Sequence, residues 1–253
     1  MIFFNILGYS ALTTSLSCKD DWLLWAHGKK EIIGDDLEAA PNPPFVPPNM
    51  RRLLDQNSKI ALSTAYEAAK EYSQSSPIDI LKSARLVFAS RWGGWERTLD
   101  LLLGYIRDGG ISPMRFSYSV HNAPAAVCSI AAKNTLPYCA LSAAGATFAM
   151  GLVESLALFS DDPTCSLALY VYSDERTPEL YKKVVKGNIP IAAAFLIARG
   201  GFGAGIPLNF SFKPHRKKTE SDEHSPASLL NFIRFLILGE SCLETDYFSA
   251  ARV

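Results

Sequence analysis

Short apolar runs of strand length alternate along this chain with segments whose apolar residues recur at helical spacing. The short runs are bounded by glycine, proline or polar residues, which predicts strands. We expect strands at residues 2–7, 85–89, 138–143, 166–172, 189–198 and 206–212. The 3.6-residue spacing predicts helices at 20–28, 57–73, 95–107, 119–132, 144–159 and 226–239.

This alternation predicts an α/β fold with a mostly parallel sheet of about five strands. Right-handed crossovers would place helices on both faces of the sheet. The last two predicted strands flank a glycine-rich turn at 200–205, which favours a terminal hairpin. We expect one domain over 1–253, in which 213–225 form a surface loop and 226–253 a C-terminal helix and tail.

Charge and cysteine content narrow the classes of function. The chain has 25 basic and 25 acidic residues, so it lacks the basic excess of a nucleic-acid surface. Zero net charge also favours a permanent protein partner, because little charge keeps the free chain soluble. The five cysteines form no CxxC pair, which argues against a zinc site or a disulfide framework and favours the reducing cytoplasm.

No segment indicates a membrane or export role. The apolar N-terminus lacks the positive region of a signal peptide. No apolar run reaches the ~18 residues that a membrane helix needs. We therefore expect no membrane span, no metal and no cofactor.

Two motifs carry the most specific information. Residues 112–123 read SPMRFSYSVHNA, and residues 138–147 read YCALSAAGAT at the end of a predicted strand and the start of a predicted helix. Together they resemble the segment of a β-ketoacyl synthase that leads into its active-site elbow. The resemblance extends over about residues 1–212, and it implies the N-terminal half of a thiolase-like fold.

The resemblance is most specific to short, single-half synthase-like proteins. In aryl polyene pathways such proteins act as chain-length factors beside a complete ketosynthase. It therefore implies a catalytic ketosynthase and an acyl carrier protein as partners. The positions that would face the partner or its acyl tunnel are Phe116, Ser117, Tyr118, Val120, His121, Asn122 and Phe148.

The elbow motif departs from the family at its central residue. A working synthase carries a cysteine there, whose thiolate holds the acyl group. Matching on Pro137 places Gly145 at that position, whereas matching on 149–151 places Ala143 there. Neither side chain can attack a thioester, so we expect an accessory subunit rather than an enzyme.

Other interpretations of these residues remain open at this stage. Phe116, Tyr118 and Phe148 could be core aromatics, and His121 could be a structural histidine. A self-contained thioesterase or acyltransferase would need Ser142 or a displaced cysteine such as Cys139. A homodimer that docks a carrier protein is a third possibility.

Two further segments suggest binding but have simpler explanations. Residues 199–205, RGGFGAG, contain GxG, yet strands flank them on both sides, so a turn is expected rather than a nucleotide site. The basic run at 213–218 is typical of a solvated loop. It could alternatively steer an acidic carrier protein.

Overall fold

The computed structural model describes residues 2–34, 36–37, 40–73, 76–185, 189–201, 204–213 and 226–253. Its strands are β1 (Ile2–Thr13), β2 (Arg85–Ala89), β3 (Tyr138–Leu141), β4 (Leu167–Asp174), β5 (Ile191–Arg199), β6 (Ile206–Phe212), β7 (Cys242–Glu244) and β8 (Phe248–Arg252). Its helices are α1 (Lys19–Ala26), α2 (Pro48–Arg51), α3 (Gln56–Tyr72), α4 (Pro77–Ser83), α5 (Trp95–Asp108), α6 (Pro113–Ser117), α7 (Ala123–Ala132), α8 (Thr147–Asp161) and α9 (Ala227–Leu238).

One sheet contains all eight strands in the order β3-β2-β4-β5-β1-β6-β8-β7. The α/β class is confirmed, but the expectation of about five mostly parallel strands is wrong. Only the pairs β2/β3 and β2/β4 are parallel, and the other five pairs are antiparallel. The parallel part is therefore confined to one end of the sheet, next to β3.

The predicted hairpin between β5 and β6 is also wrong, because β1 lies between them. Thr13 pairs with Ile191 of β5, and Ile6 pairs with Ile206 of β6. Both neighbours run antiparallel to β1, so β5 and β6 run in the same direction and cannot form a hairpin. The segment that joins them must instead cross β1.

Glycines make that crossing possible. A Cβ on Gly205 would overlap the carbonyl oxygen of Ile6, and Gly205 has φ +86°. The side-chain amide of Asn5 donates to Ala204 O at 3.0 Å and ties the crossing segment to β1. Residues 202–203 of the glycine-rich stretch lie outside the described residues.

Strand β1 is longer than the pattern predicts. Residues 8–13, beyond the predicted end of this strand at residue 7, continue the pairing with β5. The register shifts between Ile6 and Gly8, and a Cβ on Gly8 would lie 2.7 Å from Ala68 O of α3. Glycine therefore permits close packing of α3 rather than ending the strand.

Two apolar cores cover the two faces of the sheet. On one face, small side chains of α3 and α7 pack on β2 and β4. On the other face, an aromatic core forms between the sheet and α1, α8 and α9. The expectation of helices on both faces is confirmed.

The C-terminal part of the chain is a structural component of the second core. Helix α9 buries Phe232 and Phe235 in addition to Leu229, while Leu230 and Ile237 are only half-buried. The expected tail is instead the hairpin β7–β8, and β8 adds to the sheet beside β6. Most of the predicted 213–225 loop lies outside the described residues.

Within the described part of the chain, no helix combines the length and apolarity required to span a membrane.

Candidate functional site

The three parallel strands β2, β3 and β4 end at the same edge of the sheet. In α/β folds this carboxyl edge is where functional groups gather. The backbone N–H of Ser90, just after β2, donates to the carbonyl of Leu141, the last residue of β3, at 3.2 Å. Asp174 ends β4 at the same level.

Asp174 holds this edge together through a buried hydrogen-bond network. It accepts from Ser90 Oγ at 2.9 Å, from Arg91 N at 2.8 Å and from Tyr172 OH at 2.6 Å. Arg91 Nε also donates to it at 3.1 Å, and both charged side chains are almost fully buried. A buried ion pair with satisfied partners of this kind rigidifies its surroundings.

The elbow lies directly beside this network. After Leu141 the chain turns sharply, and Ala144 has a left-handed φ of +49° before α8 begins. Such a conformation is uncommon for a residue with a side chain and costs of order 1–3 kcal/mol. Thr147 supports the turn, because its Oγ1 accepts from Ala143 N at 2.9 Å and donates to Ala144 O at 2.7 Å.

The apex of the turn is therefore Ala144, between the two positions that sequence matching proposed. A strained turn between a strand and a helix is the geometry that presents a nucleophile in other enzyme folds. Here Ala143, Ala144 and Gly145 present only backbone and methyl groups. The shape of an elbow is present without a reactive side chain.

The neighbouring polar residues do not form a nucleophile and base pair. Ser142 Oγ donates to the carbonyl of Arg91 at 3.1 Å, and His121 Nε2 binds the carbonyl of Leu141 at 2.9 Å. His121 also lies against Gly93, where a Cβ would approach its Nδ1 to 3.0 Å. His121 is thus joined to the elbow strand by a hydrogen bond to the backbone.

The cysteines packed around these strands are disfavoured as nucleophiles. Partial burial, followed by the nearby Glu154 carboxylate, raises the pKa of Cys139. Complete burial raises the pKa of Cys128 to about 12, and burial also raises that of Cys165. A thiol needs a lowered pKa to be a good nucleophile near neutral pH.

The predicted partner-facing residues separate into two groups. Phe116, Ser117, Val120 and Asn122 are exposed, and Tyr118 and His121 are half-buried, so these six lie along one accessible segment. The exposed fraction of Phe116 is 52%.

Phe148 does not belong with them. It is only 4% exposed and lies at the centre of the aromatic core. Its ring contacts those of Tyr170, Tyr172, Phe195, Phe232 and Phe248 at centroid distances of 5.6–6.0 Å. The expectation that Phe148 faces a tunnel or a partner is wrong, and its alternative as a core aromatic is correct.

The accessible segment adjoins an open edge of the sheet. Strand β3 is terminal in the sheet, so no strand of the described chain pairs with its outer side. Exposed apolar side chains lie in β3, just before it, in α7, or in the accessible segment that His121 and Asn122 join to β3, and they are Phe116, Val120, Ile130, Leu136 and Tyr138. An open edge with apolar neighbours is typical of an interface.

A buried acid at this edge was not among the predicted site residues. Glu175 follows β4 and is 1% exposed. Its Oε1 accepts from the backbone N–H of Glu96, at the start of α5, at 2.6 Å. Burial, and next the nearby Asp55 carboxylate, raise its pKa from 4.5 to about 8. An acidic residue directly after an apolar strand was the signal that could have identified it.

A polar cavity of about 300 Å³ lies on the other side of the elbow. It extends from Gly145 to Asn231 of α9 and to the turn between β7 and β8. The C-terminal segment therefore covers the elbow on this side.

The remaining histidines and the basic run at 213–218 are only partly described. His27 is exposed at the end of α1, and His215 and His224 lie outside the described residues. Of the basic run at 213–218 only Lys213 is described, and it pairs with Glu244. Among the described residues, no group of three or more His, Cys, Asp or Glu could hold a metal ion.

Comparisons with known proteins agree with this geometry. The family model of the β-ketoacyl synthase N-terminal domain matches residues 22–248. No curated protein matches the chain by sequence.

Several solved structures share the fold. A structure of ketosynthase ApeO in complex with its chain length factor ApeC, from Xenorhabdus doucetiae, matches with TM-score 0.77 and 23% identity, and 100% of each chain is covered. The ishigamide ketosynthase/chain length factor matches with TM-score 0.67 and 10% identity, covering 85% of this chain and 68% of the other. The complex AntDE:AntF, a type II polyketide synthase acyl-carrier protein with its ketosynthase, matches with TM-score 0.66 and 14% identity, covering 84% and 70%.

The fold is therefore thiolase-like, as the sequence motifs implied. Because the family model spans most of the chain, from α1 to the start of β8, this chain belongs to the family of β-ketoacyl synthase N-terminal domains.

Proposed function

We propose that this protein is a non-catalytic chain-length factor that pairs with a catalytic ketosynthase. The observation that carries the proposal is the elbow, where Ala144 keeps the strained conformation while no side chain from Ala143 to Gly145 can form a thioester. Strain is retained only where the surrounding structure stabilises it, and here Thr147 and the Asp174 network do so. The strand, turn and helix of the elbow are preserved, and the catalytic cysteine thiolate would come from a second chain.

The location of the accessible segment supports a role beside a partner. Phe116 and Val120 are exposed next to the open edge of β3, and His121 links this segment to the elbow strand. A partner bound at this edge would bury these apolar side chains, as stable interfaces do. Phe116 is the largest of the proposed partner-facing residues that are exposed.

The proposed action on product length is steric. A bulky side chain at the end of the partner's acyl tunnel would stop extension when the growing chain meets it. We assign this role to Phe116 and the half-buried Tyr118. The aryl polyene class of product follows from the resemblance of the 112–123 motif to short chain-length factors.

The relatives support the partners proposed. One matching structure is a ketosynthase with its chain length factor, and its matched chain is covered along its full length. Another contains an acyl-carrier protein with its ketosynthase. We propose a ketosynthase as the direct partner and a carrier protein as the supplier of acyl groups. All five cysteines are free, which is compatible with the cytoplasmic location that we propose.

Co-expression with the catalytic ketosynthase tests the proposal. We expect this chain to co-purify with a tagged ketosynthase and to elute with it from size-exclusion chromatography at a ratio of one to one. We expect Phe116→Ala to leave the complex intact and to lengthen the product, because the stop is removed. Tyr72→Ala, an exposed aromatic of α3, is the matched control and should leave product length unchanged. Absence of a complex, or product length indifferent to Phe116, contradicts the proposal.

A self-contained thioesterase or acyltransferase is the alternative, and activity probes separate it. A fluorophosphonate should not label Ser142, because its hydroxyl is bound to a backbone carbonyl rather than to a base. Iodoacetamide should label the exposed Cys18 and Cys242 before Cys139. Stoichiometric labelling of Ser142, or rapid labelling of Cys139, would favour the alternative.

A further inference from the structure

Helix α5 presents its apolar face away from its own chain. At about 100° per residue, Leu99, Leu102 and Ile106 share one face of the helix. Leu102 and Ile106 are 54% and 79% exposed, whereas Leu101 is the buried residue of the helix. An amphipathic helix normally packs its apolar face on a core, so the outward orientation indicates that another chain covers this face.

Polar anchors at its N-terminal end fix this orientation of α5. Arg97 pairs with Asp55, the N-cap residue of α3, at 3.8 Å. The backbone N–H of Glu96 donates to the buried Glu175 at 2.6 Å, and the side chain of Glu96 pairs with Arg176 at 2.7 Å. The apolar face is therefore held outward before a partner binds, which reduces the cost of ordering the surface on association.

Exposed apolar side chains connect this face to the segment that we assign to the ketosynthase. Leu103 follows Leu102 on the helix and lines a groove of about 380 Å³ between α5 and the chain that leads into α6. Ile111 lines the same groove from the side of that chain. Helix α6 then carries Met114, which is exposed, two residues before Phe116. These side chains form one apolar band from Leu102 to Phe116.

The charges in this groove are neutralised within the chain. Arg115 pairs with Asp100 at 3.6 Å, Arg107 pairs with Asp108 at 2.6 Å, and all four side chains are more than half exposed. An acidic carrier protein would call for a basic surface, which these balanced pairs do not provide. Paired charges beside exposed apolar residues are instead typical of the rim of a protein–protein interface.

A stable heterodimer needs a larger surface than the edge of β3 offers. Specific interfaces bury about 800 Å² and about 20–30 residues on each side. The accessible segment, together with Ile130, Leu136 and Tyr138, supplies nine residues. The surface that directly continues this set is the apolar band, which adds the exposed residues Leu102, Leu103, Tyr105, Ile106, Ile111 and Met114.

We propose that the ketosynthase binds the apolar face of α5 as well as the edge of β3, so that both belong to one interface with Ile106 near its far end. The inference rests on the proposed function, because the partner is the same. It adds a contact surface that neither the elbow nor the motif at 112–123 indicates. The continuity of the apolar band and the size of the interface carry it.

Calorimetric titration of the ketosynthase with this chain measures the contribution of α5. Ile106→Glu should weaken binding by about tenfold or more, because it places a charge within an apolar contact. Ile33→Glu is the matched control, since Ile33 is 69% exposed and lies beside Ser15 after β1, which three strands separate from β3. It should leave the affinity unchanged. Thermal unfolding of both variants should match the wild type, because both side chains are exposed.

Hydrogen exchange locates the contact directly. Backbone amides of α5 should exchange more slowly in the complex than in the free chain, as should those of the accessible segment, because the partner covers both. Amides of α1, which packs on α9 and β1, should exchange at the same rate in both states.

The outcomes separate this inference from the proposed function. A wild-type chain that does not bind the ketosynthase overturns both. A wild-type complex that Ile106→Glu leaves at the same affinity, or in which the amides of α5 are unchanged, overturns the inference alone. Self-association of the free chain that Ile106→Glu abolishes, with affinity for the ketosynthase retained, would assign the face to a second copy and would also overturn the inference alone.

Discussion

Single residues at the carboxyl edge of the parallel strands hold the strained turn of the elbow in place. Thr147 bonds both sides of the turn, and Asp174 fixes Arg91 and Tyr172 beneath it. These side chains stabilise the left-handed Ala144, which presents only a methyl group. The residues that hold the turn are therefore informative about function even though the turn itself presents only backbone and methyl groups.

Glu175 should make stability depend on pH. Its folded-state pKa is about 8 against an ordinary 4.5, so the folded state holds a proton that the unfolded state releases between these values. The wild type should lose up to about 5 kcal/mol of stability as pH rises from about 4.5 to 8, and its stability should level off above that pH. Glu175→Gln should remove this slope, because it cannot ionise.

Thermal unfolding of the wild type and of Glu175→Gln at several pH values from 5 to 9 measures this pH dependence of stability. The stability of Glu175→Gln relative to the wild type should grow up to about pH 8. Glu179→Gln, whose side chain is 86% exposed, serves as the control and should follow the wild type. Parallel curves for wild type and Glu175→Gln would show that Glu175 is ionised throughout.

Alanine substitution should reduce the unfolding free energy strongly at Phe148 and only slightly at Phe116. Phe148→Ala removes the centre of the aromatic core, so we expect a loss of about 3–5 kcal/mol in unfolding free energy. Phe116→Ala lies on the surface and should change it by no more than about 0.5 kcal/mol. Urea denaturation distinguishes them, and a large loss for Phe116→Ala would mean that its ring belongs to the core.

Among the elements, the segment that crosses β1 is the one whose conformation depends most on glycine. Gly201 and Gly205 both have φ +86°, but their surroundings differ. No atom lies within 4 Å of a Cβ on Gly201, whereas one on Gly205 would overlap Ile6 O. The glycine-rich sequence is thus explained by close approach of two backbones rather than by a phosphate.

Alanine substitutions at these two glycines separate backbone strain from steric overlap. Gly201→Ala should cost about 1 kcal/mol, the usual penalty of a left-handed residue with a side chain. Gly205→Ala should cost more by a further 1–3 kcal/mol or so, because β1 or the crossing segment must shift. Equal losses of unfolding free energy in the two variants would contradict the crossing geometry.

At the scale of the whole molecule, the C-terminal residues complete the structure. Strand β8 pairs with β6 along Leu208–Phe212, and Phe232 of α9 packs on Phe148. A half of a larger fold would otherwise leave the aromatic face of its sheet uncovered. This chain covers that face itself, so the partner is needed for the proposed function and not for closing this core.

Removal of residues 226–253 should therefore abolish cooperative unfolding. The truncated chain exposes the aromatic core, and we expect it to be insoluble or to lack a thermal transition by circular dichroism. Removal of the exposed Val253 alone is the control and should have little effect. A truncated chain that still unfolds cooperatively would show that the core forms without α9, β7 and β8.

The sequence by itself determined the local elements, the family and the residues that occupy the elbow. Strand β2 was predicted at its observed bounds, and α5 was predicted to end at residue 107, one residue before its observed end, because apolar periodicity and turn residues act over a few neighbours. The motifs at 112–123 and 138–147 indicated the family. The absence of a cysteine from the elbow is likewise a property of the sequence alone.

The tertiary structure decided which strands meet and which aromatics are covered. Strand β1 enters between β5 and β6, although Gly8 looked like its end, since pairing between residues about 190 positions apart leaves no local pattern. Phe148 was grouped with Phe116 as a partner-facing residue, yet rings from β4, β5, α9 and β8 surround it in the core. Burial, strand order and the pKa of Glu175 depend on groups distant in sequence, and only the folded chain brings them together.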